Sequence, residues 1–157
     1  MSDLAIGLLS ALLATNQPAA VSNLVVEKTG VSVAVRDAND PVEKKYQKLL
    51  EDDDAAQAEV DKWIEENNAA SAKGSGTPRE IFNKRIEDRF AIVRKAYEDF
   101  LEKHPDHART HLAYGSFLLD INDEERGVTQ MEKARQLDPK NPAAWNNLAN
   151  IYGHHGP

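Results

Sequence analysis

The sequence predicts an all-α fold, a helical repeat array over residues 78–157 preceded by an N-terminal helical segment over 1–70. Three observations carry this. Apolar residues recur at steps of three and four, most clearly in Phe82, Ile86, Phe90, Val93, Tyr97 and Phe100, the spacing that gathers side chains on one helix face. Proline and glycine stand between these runs rather than inside them, with Asp40-Pro41, Thr77-Pro78 and Asn141-Pro142 each placing a capping side chain before a proline. Finally, Pro105 and Pro139 lie 34 residues apart in matching surroundings: His111 falls on Trp145, Tyr114 on Leu148, Gly115 on Ala149 and Leu118 on Tyr152. A fixed period of this size marks stacked helix–turn–helix units, none able to bury its apolar face alone.

The elements follow in order. Ser2 can cap a first helix whose Leu4, Ala5, Leu8, Leu9, Leu12 and Leu13 share one face. Pro18 restarts the chain into a second short helix bearing Val21, Leu24 and Val25, and Gly30 can stop it. Val31, Val33 and Val35 then alternate with small residues, which fits an ordered linker with three valines on the core better than an exposed edge for β-pairing. Asp40-Pro41-Val42-Glu43 opens the next helix. Its stripe, Tyr46, Leu49, Leu50, Val60, Trp63 and Ile64, thins at Asp52-Asp53-Asp54, so 42–68 reads as one helix or as a hairpin, with one helix favoured. Ser71–Gly76 has the composition of a flexible linker, giving a boundary over 71–77. Thr77-Pro78-Arg79-Glu80 repeats the capping device before the strongest amphipathic run of the chain. Helices near Ala108–Leu119 and Asp123–Leu137 come next, then a last one opened by Asn141-Pro142.

Composition narrows the function. The 157 residues carry a net charge of −7, 29% charged and 41% hydrophobic residues, the profile of a soluble helical protein. The acidic excess concentrates in Val42–Ala69, and no basic stripe interleaves with aromatics, so nucleic-acid binding is excluded. Leu4–Ala14 is too short to span a bilayer and follows Asp3 rather than a basic region. Cytoplasmic residence and no membrane span are the expectation. Cysteine is absent, which removes disulfide and thiolate chemistry.

His104, His107 and His111 form the only histidine cluster at ligand-like spacing, but no acidic or thiol ligand completes a set. A structural role is favoured over a metal site. Gly74-Ser-Gly76 lacks the strand and lysine of a phosphate loop. The carboxylate runs Asp52–Asp54, Glu65-Glu66 and Asp123–Glu125 read as solvated faces or caps without the apolar setting that acid catalysis needs. No catalytic residue, cofactor or metal is expected.

Trp145-x2-Leu148-Ala149-x2-Tyr152, with His111-x2-Tyr114-Gly115-x2-Leu118, Gly127-x3-Met131, Ala134 and Pro139 one period earlier, resembles the tetratricopeptide repeat family. The likeness covers residues 80 to 157, with His111 where the family usually has Trp and the last repeat incomplete. It implies a non-catalytic adaptor or scaffold whose first helices line a concave groove for a protein partner, a peptide segment or another subunit. Carried over position by position, the lining is Arg109, Leu112, Ser116 and Leu119 or Asp120 from one repeat, then Ala143, Asn146, Asn147 and Asn150 from the next. Asn amides suit extended backbone, although Asn147 and Asn150 read equally as residues supporting the turn. The alternative is a structural subunit docked through the apolar N-terminal helices. The open last helix is expected to be covered by a continuation of the array, by another chain or by self-association.

Overall fold

The computed structural model describes residues 39–154. The expected helices at Leu4–Leu13 and Pro18–Val25, and the alternating valines at 31–35, lie outside these residues. The chain divides into two compact units, Met1–Lys45 and Tyr46–Pro157. Of the first, only 39–45 is described: Asp40 accepts from the Val42 amide through Oδ1 (2.8 Å) and from the Lys44 amide through its carbonyl (3.0 Å). The first bond satisfies one of the donors orphaned at a helix start, and the second is the first backbone bond of the helix itself.

All regular structure among the described residues is helical. In chain order it comprises α1 (Pro41–Ser71), α2 (Arg79–Lys103), α3 (Ala108–Asp120), α4 (Glu124–Leu137) and α5 (Pro142–His154). Each helix of the second unit runs antiparallel to the next. Tyr46 meets Phe100 and Asn67 meets Thr77 at opposite ends of α1 and α2. Tyr97 stacks on Tyr114 across α2 and α3, His111 reaches Gln130 across α3 and α4, and Met131 meets Asn147 across α4 and α5.

α1 is one continuous helix, so the aspartate run at 52–54 does not break it. The run divides its labour. Asp52 and Asp54 are exposed, but Asp53, expected on a solvated face, is buried. Its Oδ2 accepts from the Tyr97 hydroxyl at 2.6 Å and its Oδ1 from Gln57 Nε2 at 2.9 Å. A carboxylate so bonded can sit among apolar groups because neither oxygen loses hydrogen bonding when water leaves.

The Ser71–Gly76 segment, with the composition of a flexible linker, is a hydrogen-bonded helix stop inside the second unit. Ser75 N donates to Ala70 O (3.0 Å) and Gly74 N to Ser71 O (2.9 Å), with Gly74 at φ 76. This is the Schellman arrangement, which requires the left-handed region that glycine enters freely. Glycine-serine composition alone does not separate such a stop from a loose tether. Thr77 does not serve as the cap expected of it: Pro78 occupies the N-cap position without a side-chain bond, and the Thr77 amide donates to Asn67 Oδ1 at 2.7 Å.

α3 ends the same way as α1. Asp123 N donates to Leu118 O and Asn122 N to Leu119 O, with Asn122 at φ 63, one of the few side chains that tolerate that conformation. The α3–α4 hairpin is the tightest contact. A Cβ on Gly115 would stand 3.0 Å from Met131 Cγ, and one on Gly127 only 2.8 Å from Leu119 Cγ.

The 34-residue sequence period recurs as bonding geometry. His104 N donates to Phe100 O as Asp138 N does to Ala134 O, both at 2.9 Å; His107 N to His104 O and Asn141 N to Asp138 O both measure 3.1 Å. His111 Nε2 donates to Pro105 O at 2.8 Å, and Trp145 Nε1 donates to Pro139 O at 2.9 Å. The histidine therefore replaces the indole as a ring N–H donor to the turn carbonyl.

The core runs from α1 to α5 through Tyr46, Val60, Tyr97, Phe117, Leu118, Met131 and Leu148. Tyr97 lies against Tyr114 with ring centroids 5.0 Å apart and an 11° interplanar angle, and burial drives both phenols well above their ordinary pKa.

Candidate functional site

Unequal helix lengths create a concavity among the described residues. α1 has 31 residues and α3 only 13, about 46 Å against about 20 Å at 1.5 Å per residue. The two run parallel, since Tyr46 lies beside His107 at their starts while Asp120 feels the charge of Asp53 near the end of α3. α3 therefore stops partway along α1 and α2. Beyond that step a groove of about 560 Å³ opens between them.

Val60 and Ile64 of α1, Ile86 and Phe90 of α2, and Ile121 after α3 give the groove its apolar surface. Phe90 is half-buried, edge-on to Phe117 at 5.7 Å, because α3 covers only part of the α2 stripe. The rim is acidic, formed by Asp61, Glu87 and Asp120, with Arg94 as its basic lining residue. Burial, then the nearby Asp53 charge, holds the Asp120 carboxyl above its usual pKa. Buried Arg94 Nε has no hydrogen-bond partner.

The residues expected to line a partner groove fall into two stripes. Arg109, Leu112, Ser116 and Asp120 follow one face of α3, the face beside α1. Arg109 lies over the Tyr46 ring at 4.2 Å, Leu112 and Ser116 are half-buried, and Asp120 reaches the groove rim. On α5, Asn146 and Asn150 are exposed and one turn apart, whereas Asn147 turns inward, its Nδ2 3.7 Å from Met131 Sδ.

The histidines are engaged by packing and backbone. The His104 and His107 rings lie against Phe100, at 4.8 and 5.3 Å. His107 Nδ1 accepts from the Thr110 amide at 3.2 Å, capping α3, and His111 Nδ1 meets the Gln130 side-chain amide at 2.6 Å. Among the described residues no group of three or more His, Asp or Glu is placed to hold a metal ion, and no helix is long and apolar enough to cross a membrane.

Sequence reasoning named Ile64, Ile86 and Phe90 only as core and passed over Asp61, Glu87 and Arg94. The available signal was the mismatch between two long amphipathic runs and a 13-residue neighbour, which leaves apolar positions uncovered. No family model matches the chain, and no curated protein or solved structure matches it.

Proposed function

We propose that the chain is a non-catalytic protein-interaction module of the tetratricopeptide-repeat kind, acting as an adaptor or scaffold in the cytoplasm. The observation that carries this reading is the 34-residue recurrence of turn bonds, including the paired donations of His111 and Trp145 to prolyl carbonyls. Repetition at that level supports a stacked-hairpin array, whose first helices present residues that the core does not require. Asn146 and Asn150 are such residues. They are exposed, share a face, and carry amides able to bond a peptide backbone of any sequence.

The test is affinity capture on the full chain, followed by calorimetry with each captured partner. Asn146→Ala/Asn150→Ala is expected to weaken binding about tenfold or more while leaving the thermal midpoint unchanged, since neither side chain is buried. Arg109 is a poorer probe, because removing it also strips the cover from Tyr46. Unchanged affinity in the double variant would place the contact surface elsewhere.

A further inference from the structure

We propose that the groove at the α1–α2–α3 step holds an extended segment of a partner protein, with an apolar side chain seated between α1 and α2 and flanking Lys or Arg at the rim. This deepens the interaction-module reading and rests on it.

Charge complementarity selects the occupant. Several exposed acidic residues have a basic partner nearby in sequence, as Asp52 has Lys48, Asp88 has Lys84, Asp99 has Lys95 and Asp123 has Arg126. Among the described residues, Asp61, Glu87 and Asp120 have no such ion pair. Three carboxylates and one guanidinium thus edge an apolar trough. Asp120 is already disfavoured as an anion by burial and by Asp53, and an incoming cation would relieve it. An acidic partner would instead meet repulsion from three sides.

Shape and hydrogen bonding favour a chain segment over a compact metabolite. The α2 lining extends from Asn83 to Arg94, about 16 Å of helix, which matches roughly five residues of extended chain. The volume of about 560 Å³ lies within the ~300–1,000 Å³ of clefts that hold ligands. Arg94 Nε, buried without a partner, can donate to a carbonyl of such a segment. Gln57, Asn83 and Asn122 supply further amides along the walls.

The experiment is selection of a random dodecapeptide library on the full chain, followed by calorimetry of the enriched peptides at low and high salt. Enriched peptides are expected to pair an apolar residue with neighbouring Lys or Arg. Their affinity should fall at least about tenfold in Asp61→Asn/Glu87→Gln/Asp120→Asn, whose three sites are exposed and tolerate neutral isosteres. It should also fall with added salt and remain unchanged in Lys140→Ala, an exposed site outside both surfaces. Enrichment of acidic or uncharged peptides, or equal binding to the triple variant, overturns the proposal. Peptides lost only in the α5 double variant would refute the groove while leaving the module reading intact. Failure to enrich any peptide would count against both. A dimer in sedimentation that dissociates in the triple variant would assign the groove to a second copy of this chain and overturn the proposal.

Discussion

Tyr97→Phe deletes one oxygen and tests the most buried polar contact between α1 and α2. The phenylalanine ring keeps the shape that stacks on Tyr114, so no cavity opens. What disappears is the hydroxyl donor 2.6 Å from Asp53 Oδ2. Asp53 is 6% exposed, so water cannot readily replace that donor, and only Gln57 remains, on the other oxygen. A buried acceptor left unsatisfied costs about 1–3 kcal/mol, and a charged one falls in the upper part of that range. The expected loss is therefore ~2–3 kcal/mol. In urea this moves the midpoint down by about 1–2 M at an unchanged slope; on heating it lowers the midpoint by about 4–12 °C for a chain of this size. A double-mutant cycle with Asp53→Asn isolates the pair and should return a coupling of about 1.5–3 kcal/mol. A loss below ~0.5 kcal/mol, or a coupling near zero, would show that the carboxylate is solvated and that the pair does not fasten α1 to α2.

Gly127→Ala should destabilise the chain by about 1–3 kcal/mol through overpacking against Leu119, despite alanine's better helix propensity; chemical denaturation measures it, and a neutral result would mean that α3 and α4 can part at no cost. His111→Phe and Trp145→Phe remove the same bond from two places. The buried histidine should cost ~2–3 kcal/mol and the half-exposed tryptophan below ~1 kcal/mol, and equal losses would refute the burial argument. Asp120→Asn should raise the denaturation midpoint at pH 7. A carboxyl whose folded pKa is raised opposes folding above its ordinary pKa, so the gain should vanish below that pKa, where the acid is protonated in both states. A gain that persists at pH 2 would exclude the electrostatic cause.

The helix pattern was legible because its punctuation is chemical. Asp40-Pro41 and Asn141-Pro142 cap the helices they precede, with Asn141 Oδ1 accepting from the Ala143 amide, and the α2 stripe delivers Val93, Tyr97 and Phe100 to the core. Legibility failed where a residue's role depends on what lies opposite. Asp53 differs from Asp52 and Asp54 only in facing Tyr97, a partner 44 residues away. Phe90 sits on the same stripe as Tyr97 but at the edge of the part that α3 covers, against Phe117. At the candidate site, the α3 stripe came only from the resemblance to tetratricopeptide repeats, which supplied Asp120 on the rim. The groove could not be read from the sequence, because it comes from unequal helix lengths rather than any local motif. His111 was legible as a substituted tryptophan; the shared N–H donation that explains the substitution required the turn carbonyl to be in place.

The step between helix layers also grades the folding free energy along the molecule. Near Tyr97, α1 and α2 are clasped by a third helix. Past the end of α3 they form a two-helix tip, held by the Glu59–Arg89 ion pair, the Arg85 guanidinium over Trp63 and the Asn67 bond to the Thr77 amide. Such a tip can open without the rest. Its amides should exchange with deuterated solvent well before those around Tyr97 and Phe117. The groove straddles the border between the two regimes. A partner wedged there would knit the tip to the body and slow its exchange, so recognition would register as protection at amides around Glu65–Ala70 that it does not touch.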